Sequence, residues 1–164
     1  MSNAGGSPGA LLAQIEPEGP KAARNVDLME DENLGGHTIA RHVARPEDEL
    51  LSIVRRDIYR GPTLTIARKQ QGSFLSIEDA NNFTNRVLEE NPNGVADVVL
   101  GKSENAEFFK RFGYETGREA FRPNVDAEPY IRSTFAVVVR IQRDARSRKG
   151  FRVFTSYPTN QSGE

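Results

Sequence analysis

Ser133-Thr134-Phe135-Ala136-Val137-Val138-Val139-Arg140-Ile141-Gln142-Arg143 is a β-branched, mostly apolar run of strand length. That is the pattern of a strand covered on both faces. A basic connection, 144–150, follows it. Phe151-Arg152-Val153-Phe154-Thr155-Ser156-Tyr157 then alternates with period two and is ended by Pro158. Together the two stretches predict a β-hairpin near the end of the chain. Alternation places Val153, Thr155 and Tyr157 on one face, and Arg152, Phe154 and Ser156 on the other. Thr155 and Tyr157 thus offer two hydroxyls side by side. Thr and Tyr are also ordinary strand formers, so the pair alone carries no function.

Upstream of the hairpin the pattern is mainly helical. Pro46-Glu47-Asp48-Glu49 is a helix start, proline first and then acids where the dipole favours them. Leu50, Leu51, Val54 and Ile58 continue it as an apolar stripe to about residue 59, and Gly61-Pro62 stops it. Residues 63–67 read as a strand and 72–75 as a second extended piece. Ser76 with Asp79 resembles a capping box, and Ile77, Ala80, Phe83, Val87 and Leu88 follow at helical spacing up to Asn91-Pro92. Residues 95–100 fit a strand or a helix. Residues 103–112 predict a short helix with Gly113 after its end. Helices early and strands late predict an α+β fold: N-terminal helices followed by a C-terminal antiparallel β-sheet.

The chain has 164 residues, 37% hydrophobic and 27% charged, which suits one domain with one sizeable core. Met1-Ser2-Asn3-Ala4 reads as a cloning scar, and the Gly-, Pro- and Ala-rich stretch after it as a linker arm. The expected division is 1–26 scar and arm, 27–160 domain, 161–164 tail. No apolar run is long enough to span a membrane, and no signal peptide is visible. There is no cysteine. Disulfide and thiol chemistry are excluded, which fits a cytosolic protein and equally one that crosses membranes unfolded. The net charge of −1 conceals an acidic excess of six over 1–108 and a basic excess of six over 109–152. Such a basic block is either a polyanion footprint or a solvated hairpin tip.

Both histidines lie in Gly35-Gly36-His37-Thr38-Ile39-Ala40-Arg41-His42-Val43, where 38–43 reads as a short helix. Helical zinc pairs sit four residues apart on one face, whereas five helical steps turn the second side chain about 140° away. Without cysteine or a neighbouring carboxylate cluster, no metal or other cofactor is indicated. Imidazole is the side chain that exchanges protons near neutral pH, and it is also a common buried or capping group.

The opening GGHTIARHV with the closing FTSYP resembles the bacterial ribonuclease A-like toxin domain. That domain lies at the C-terminus of contact-dependent growth inhibition proteins of the CdiA type and of related polymorphic toxins. The resemblance extends across most of 28–158. It implies a kidney-shaped, ribonuclease A-like α+β fold and metal-independent RNA cleavage by one His, one Arg, and a Thr and a Tyr of the last strand. The family's HV histidine falls on His42 and its T-x-Y on Thr155 and Tyr157; His37 matches a mainly structural histidine. The family's Arg stands eleven residues after the HV histidine in an L-x-x-R pattern, and here that position is Ile53. Arg56, one turn on, is the first substitute, Arg55 the second and Arg68 the third. The resemblance also implies an RNA substrate (tRNA or another structured RNA) and a cognate immunity protein. Delivery would be as the C-terminal part of a larger exoprotein, secreted or displayed at the cell surface, with action in the target-cell cytoplasm.

Bottom-up, RNA differs from DNA by a 2′-hydroxyl that can attack the adjacent phosphorus once a base takes its proton. Fixed cations and hydroxyl donors then stabilise the growing phosphoryl charge. Two other readings stay open. One is a non-catalytic RNA- or protein-binding module using the basic hairpin. The other is a uridylate-specific type of endonuclease, which needs a catalytic lysine; Lys69, Lys102 and Lys110 have no motif context for that.

Overall fold

The computed structural model describes residues 25–161, so the expected scar, most of the arm and residues 162–164 lie outside the described residues. In chain order the elements are α1 (Leu28–Asn33), α2 (Thr38–His42), α3 (Glu47–Arg56), β1 (Ile58–Arg60), β2 (Thr65–Ala67), β3 (Gln70–Ser73), α4 (Ile77–Glu89), α5 (Pro92–Val99), β4 (Asn105–Arg111), β5 (Gly117–Phe121), β6 (Tyr130–Thr134), β7 (Ala136–Arg143) and β8 (Phe151–Thr159). The closing hairpin forms with altered bounds: Ser133 and Thr134 belong to β6 of the other sheet, so β7 starts only at Ala136, and β8 runs through Pro158 to Thr159. β7 pairs β8 antiparallel, and β4 takes the other edge of β7. A second antiparallel sheet has the order β3-β5-β6, and β1-β2 is a separate hairpin. The α+β class holds, and β2 and β3 fall before α4 close to the extended pieces read at 63–67 and 72–75; β1 is the addition.

One face of the central strand builds the core. Val137, Val139 and Ile141 pack with Phe151 and Val153 of β8 against Ala80, Val87 and Leu88 of α4 and Val95 and Val98 of α5. Each such side chain contributes about 1.5–3 kcal/mol by leaving water. Leu50 and Val54 of α3 meet Ala120 of β5 in a smaller cluster. Three sequence expectations change here. Residues 103–112 are not a helix: 105–111 is β4, paired along its whole length with β7. An unpaired central strand would leave a row of buried backbone groups without partners, and this need overrides local helix propensity. Ala106 and Phe108 then face the core, and Gly94 makes room, since a Cβ there would meet the Phe108 ring at 2.5 Å. Residues 95–100 resolve as helix, with Pro92 in its first turn. The helix begun at Glu47 ends at Arg56 rather than near 59, and Ile58 enters β1.

The first helix is bound to the hairpin through Asp31. Its carboxylate pairs with Lys149, both side chains being 1% exposed, and accepts the N–H of Val153 at 2.7 Å. A buried pair of this kind adds little net stability but is costly to break. It holds Gly35-Gly36 against β8, so closely that a Cβ on Gly36 would meet the Val153 carbonyl at 2.6 Å. The histidine segment is thereby fixed on the last strand.

Candidate active site

The register of β8 decides which side chains face which way. Arg140 pairs with Thr155 and Ile141 with Val153, leaving Phe154 as an extra residue in a bulge. Val153 and Ser156 therefore both turn to the core, where Ser156 hydrogen-bonds Thr84 of α4 at 2.7 Å. Thr155 and Tyr157 share the opposite face with Arg140 and Val138, their cross-strand partners. The expected pairing of the two hydroxyls stands. The expected placing of Val153 beside them does not, because simple alternation cannot register a bulge. The bulge also aims the Phe154 carbonyl at α2, where the His37 N–H donates to it at 2.8 Å.

Helix α2 delivers His42 to that face. Glu32 accepts the N–H groups of Ile39 and Ala40 at 3.1 and 2.8 Å, capping the helix from outside. At the other end the His42 carbonyl accepts from Phe74, and Val43 bridges Phe74 as a short parallel pair. The imidazole is 8% exposed. Its Nδ1 lies 2.8 Å from the Gly72 carbonyl, so Nδ1–H donates and Nε2 is left as the lone-pair nitrogen. The ring stands 5.2 Å from the Tyr157 ring, centroid to centroid, tilted 35°. Gly72 is pressed against β8, where a Cβ would run into the Pro158 carbonyl, so only glycine fits between that strand and His42. This backbone acceptor is the part of the site sequence reasoning missed, and glycine left no chemical signal of it.

Burial pushes the His42 pKa down to about 4, with the charges of Arg41, Arg68 and His37 adding to the effect and the Gly72 hydrogen bond opposing it. The ring is neutral at pH 7. Burial raises the Tyr157 hydroxyl above its ordinary value, with Arg140 and Arg68 opposing, so it stays protonated. The lowered pKa also has a stability consequence. The unfolded chain binds a proton near pH 6.5 and the native site excludes it until about pH 4, so this contribution is whole above pH 6.5 and lost as pH falls through that window. Lowering pH from 7 to 5 is expected to cost about 2 kcal/mol through His42 alone. Urea denaturation of the parent and of His42→Asn at both pH values checks this; equal pH slopes in the two would refute it.

His42, Thr155 and Tyr157 open into one cavity of about 1030 Å³, whose wall also holds His37, Arg41, Arg56, Arg68, Lys69 and Arg140, with Glu49 and Asp57 as its acids. Both acids are engaged, Glu49 with Arg45 at 2.6 Å and Asp57 with Arg68 at 2.6 Å. Arg41, Arg56 and Lys69 have no carboxylate partner among the described residues, so the wall is strongly positive. The three candidate arginines separate clearly. Arg55 is outside the cavity, paired with Glu128 at 2.6 Å. Arg56 lines it. Arg68 also lines it, is tethered to Asp57 and to Gln71, and is the one of the three whose charge is felt at both His42 and Tyr157. Arg140, also in the wall, had a sequence signal, being a charge set between Val139 and Ile141 in a mostly apolar strand.

On this α+β scaffold a neutral imidazole lies beside the Tyr157 ring, and Thr155 shares the wall of the same cation-lined cavity. Residues 36–158 match the family model described as the bacterial CdiA-CT RNAse A domain, and the chain belongs to that family. As a member it is a toxin domain of the ribonuclease type. Among solved structures, the crystal structure of the CdiA-CT/CdiI complex from Y. kristensenii 33638 contains a similar chain. The two are 25% identical with a TM-score of 0.59, over 76% of this chain and 99% of that one. No curated protein matches the chain. Among the described residues no helix is long and apolar enough to cross a membrane.

Proposed function

We propose that the domain is a metal-independent endoribonuclease that cleaves structured RNA, tRNA among it, by attack of the 2′-hydroxyl on the adjacent phosphorus. The observation carrying this reading is the neutral, Nδ1-anchored His42 set against Thr155 and Tyr157 in a cavity walled by cations. His42 Nε2 takes the 2′-hydroxyl proton as general base. The freed oxygen attacks phosphorus, the bond to the 5′-oxygen breaks, and a 2′,3′-cyclic phosphate remains. Thr155 donates to a phosphoryl oxygen, and Tyr157 donates to the departing 5′-oxygen, which leaves as the alcohol. Arg68 holds the charge gathering on the phosphoryl group, and Arg56 holds a flanking phosphate. His37, packed edge-on against Phe154 at 5.0 Å, is kept for orientation.

The same wall suits an acidic protein inhibitor. Its likeness to a chain from a CdiA-CT/CdiI complex supports a cognate immunity protein as partner, and the positive wall is the ground for seating that partner over this cavity. Delivery as the C-terminal part of a CdiA-type exoprotein into a target-cell cytoplasm follows from family membership. The test is incubation of the purified domain with total RNA and tRNA in EDTA. Cleavage to fragments ending in 2′,3′-cyclic phosphate is expected. Salt-dependent retention of uncut RNA would instead make the domain a binding module.

A further inference from the structure

We infer that the β1–β2 hairpin is the apolar anchor by which an inhibitor protein grips this domain, outside the RNA-binding cavity. The inference rests on the reading of the chain as a toxin with a protein inhibitor. β1 and β2 pair with each other and belong to neither three-stranded sheet. A hairpin this short is marginal on its own; here Arg68 closes its base, donating its N–H to the Asp57 carbonyl at 3.0 Å and its Nε–H to the Asp57 carboxylate. It nonetheless presents Tyr59, Leu64 and Ile66 at 62, 59 and 57% exposure. Tyr59 and Ile66 are direct cross-strand partners and so share a face. The Tyr59 ring comes close to Gly61, where a Cβ would meet its edge at 2.9 Å.

The occupant's chemistry follows from the residues. Tyr59 alone would serve a base as well as a protein, but Leu64 and Ile66 offer bases no plane to stack on and tip the surface toward a protein. A charge-depleted apolar patch with a tyrosine anchor is the character of the desolvated centre of a protein interface. The position adds the second argument. Asp57, Ala67 and Arg68 at the hairpin base belong to the cavity wall, and three strand residues reach only about 10 Å further. A protein interface of ordinary size covers about 800 Å² per partner, a disc about 30 Å across. A protein seated on the cavity mouth therefore overlies the hairpin as well. The partner that fits carries carboxylates for Arg56, Arg68 and Lys69, beside an apolar recess for Tyr59, Leu64 and Ile66.

The experiment compares the parent with Tyr59→Thr/Leu64→Ser/Ile66→Thr, all at exposed positions outside the catalytic wall, and with Tyr59→Thr alone. The probe is the small protein encoded beside this chain's gene, read by calorimetry, with RNA cleavage followed in parallel. The expected result is Kd raised about 100-fold or more in the triple variant, with RNA cleavage unchanged. Unchanged Kd would overturn the anchor while leaving the inhibitor reading intact. Loss of cleavage with Kd retained would overturn it by giving the hairpin to RNA. Failure of the parent to bind the probe would overturn the inhibitor reading and the anchor together.

Discussion

His42→Ala is expected to lower the rate of RNA cleavage by roughly 10²–10⁴-fold while leaving the domain folded at pH 7. In activation free energy that is about 3–5 kcal/mol. The loss follows from geometry: of the two cavity histidines it is His42 whose ring lies beside Tyr157, and its hydrogen bond to Gly72 leaves Nε2 as the proton acceptor. Folding should survive, because the residue ends a five-residue helix whose backbone is tied independently to Phe74. A second readout separates a basic role from a packing role. With a pKa of about 4 in the free domain, the acid limb of kcat/KM should fall near pH 4, well below that of an ordinary histidine. Cleavage by the alanine variant at the parental rate, with circular dichroism unchanged, would remove His42 from the mechanism.

The sequence made some of this legible and hid the rest for identifiable reasons. The β7–β8 hairpin was readable because Ala136–Val139 and Ile141 make a buried, mostly β-branched run, and an alternating strand follows it after a short basic connection. Thr155 and Tyr157 could be paired by parity alone, since the bulge at Phe154 lies before both of them. The same bulge defeated parity for Val153. Strand β4 was invisible because its pattern is half charged, and its strand character comes from the open edge of β7. Strands β5 and β6 hid for a related reason. Glu119 is fully buried, which no hydropathy pattern anticipates, and it is tolerable only because Arg132 reaches it at 2.7 Å across the pair. His42 came from a motif, and its neutral state came from the burial that folding supplied.

The arginine is where motif spacing and geometry part, and the expected result reflects that. Arg68→Ala should cost about 10²–10³-fold in kcat/KM, mostly in kcat, and Arg56→Ala about tenfold, mostly in KM. The difference is one of preorganisation. Arg56 extends from the last turn of α3 with no partner among the described residues, so ordering it on a phosphate costs side-chain entropy during binding. Arg68 is already held by the Asp57 carboxylate at 2.6 Å and by Gln71 at 3.3 Å, and its charge is felt at both His42 and Tyr157. A guanidinium fixed before the reaction spends little on reorganising when phosphoryl charge grows. That also predicts an asymmetry under conservative change. Arg56→Lys should keep most activity, because a point charge serves a flanking phosphate, whereas Arg68→Lys should not, because an ammonium cannot reproduce the fork that bridges Asp57 and the phosphoryl oxygens. Steady-state kinetics on one short RNA substrate, at two salt concentrations, separates the two. A larger kcat loss in Arg56→Ala than in Arg68→Ala would hand the role to Arg56 and make the Asp57 tether structural.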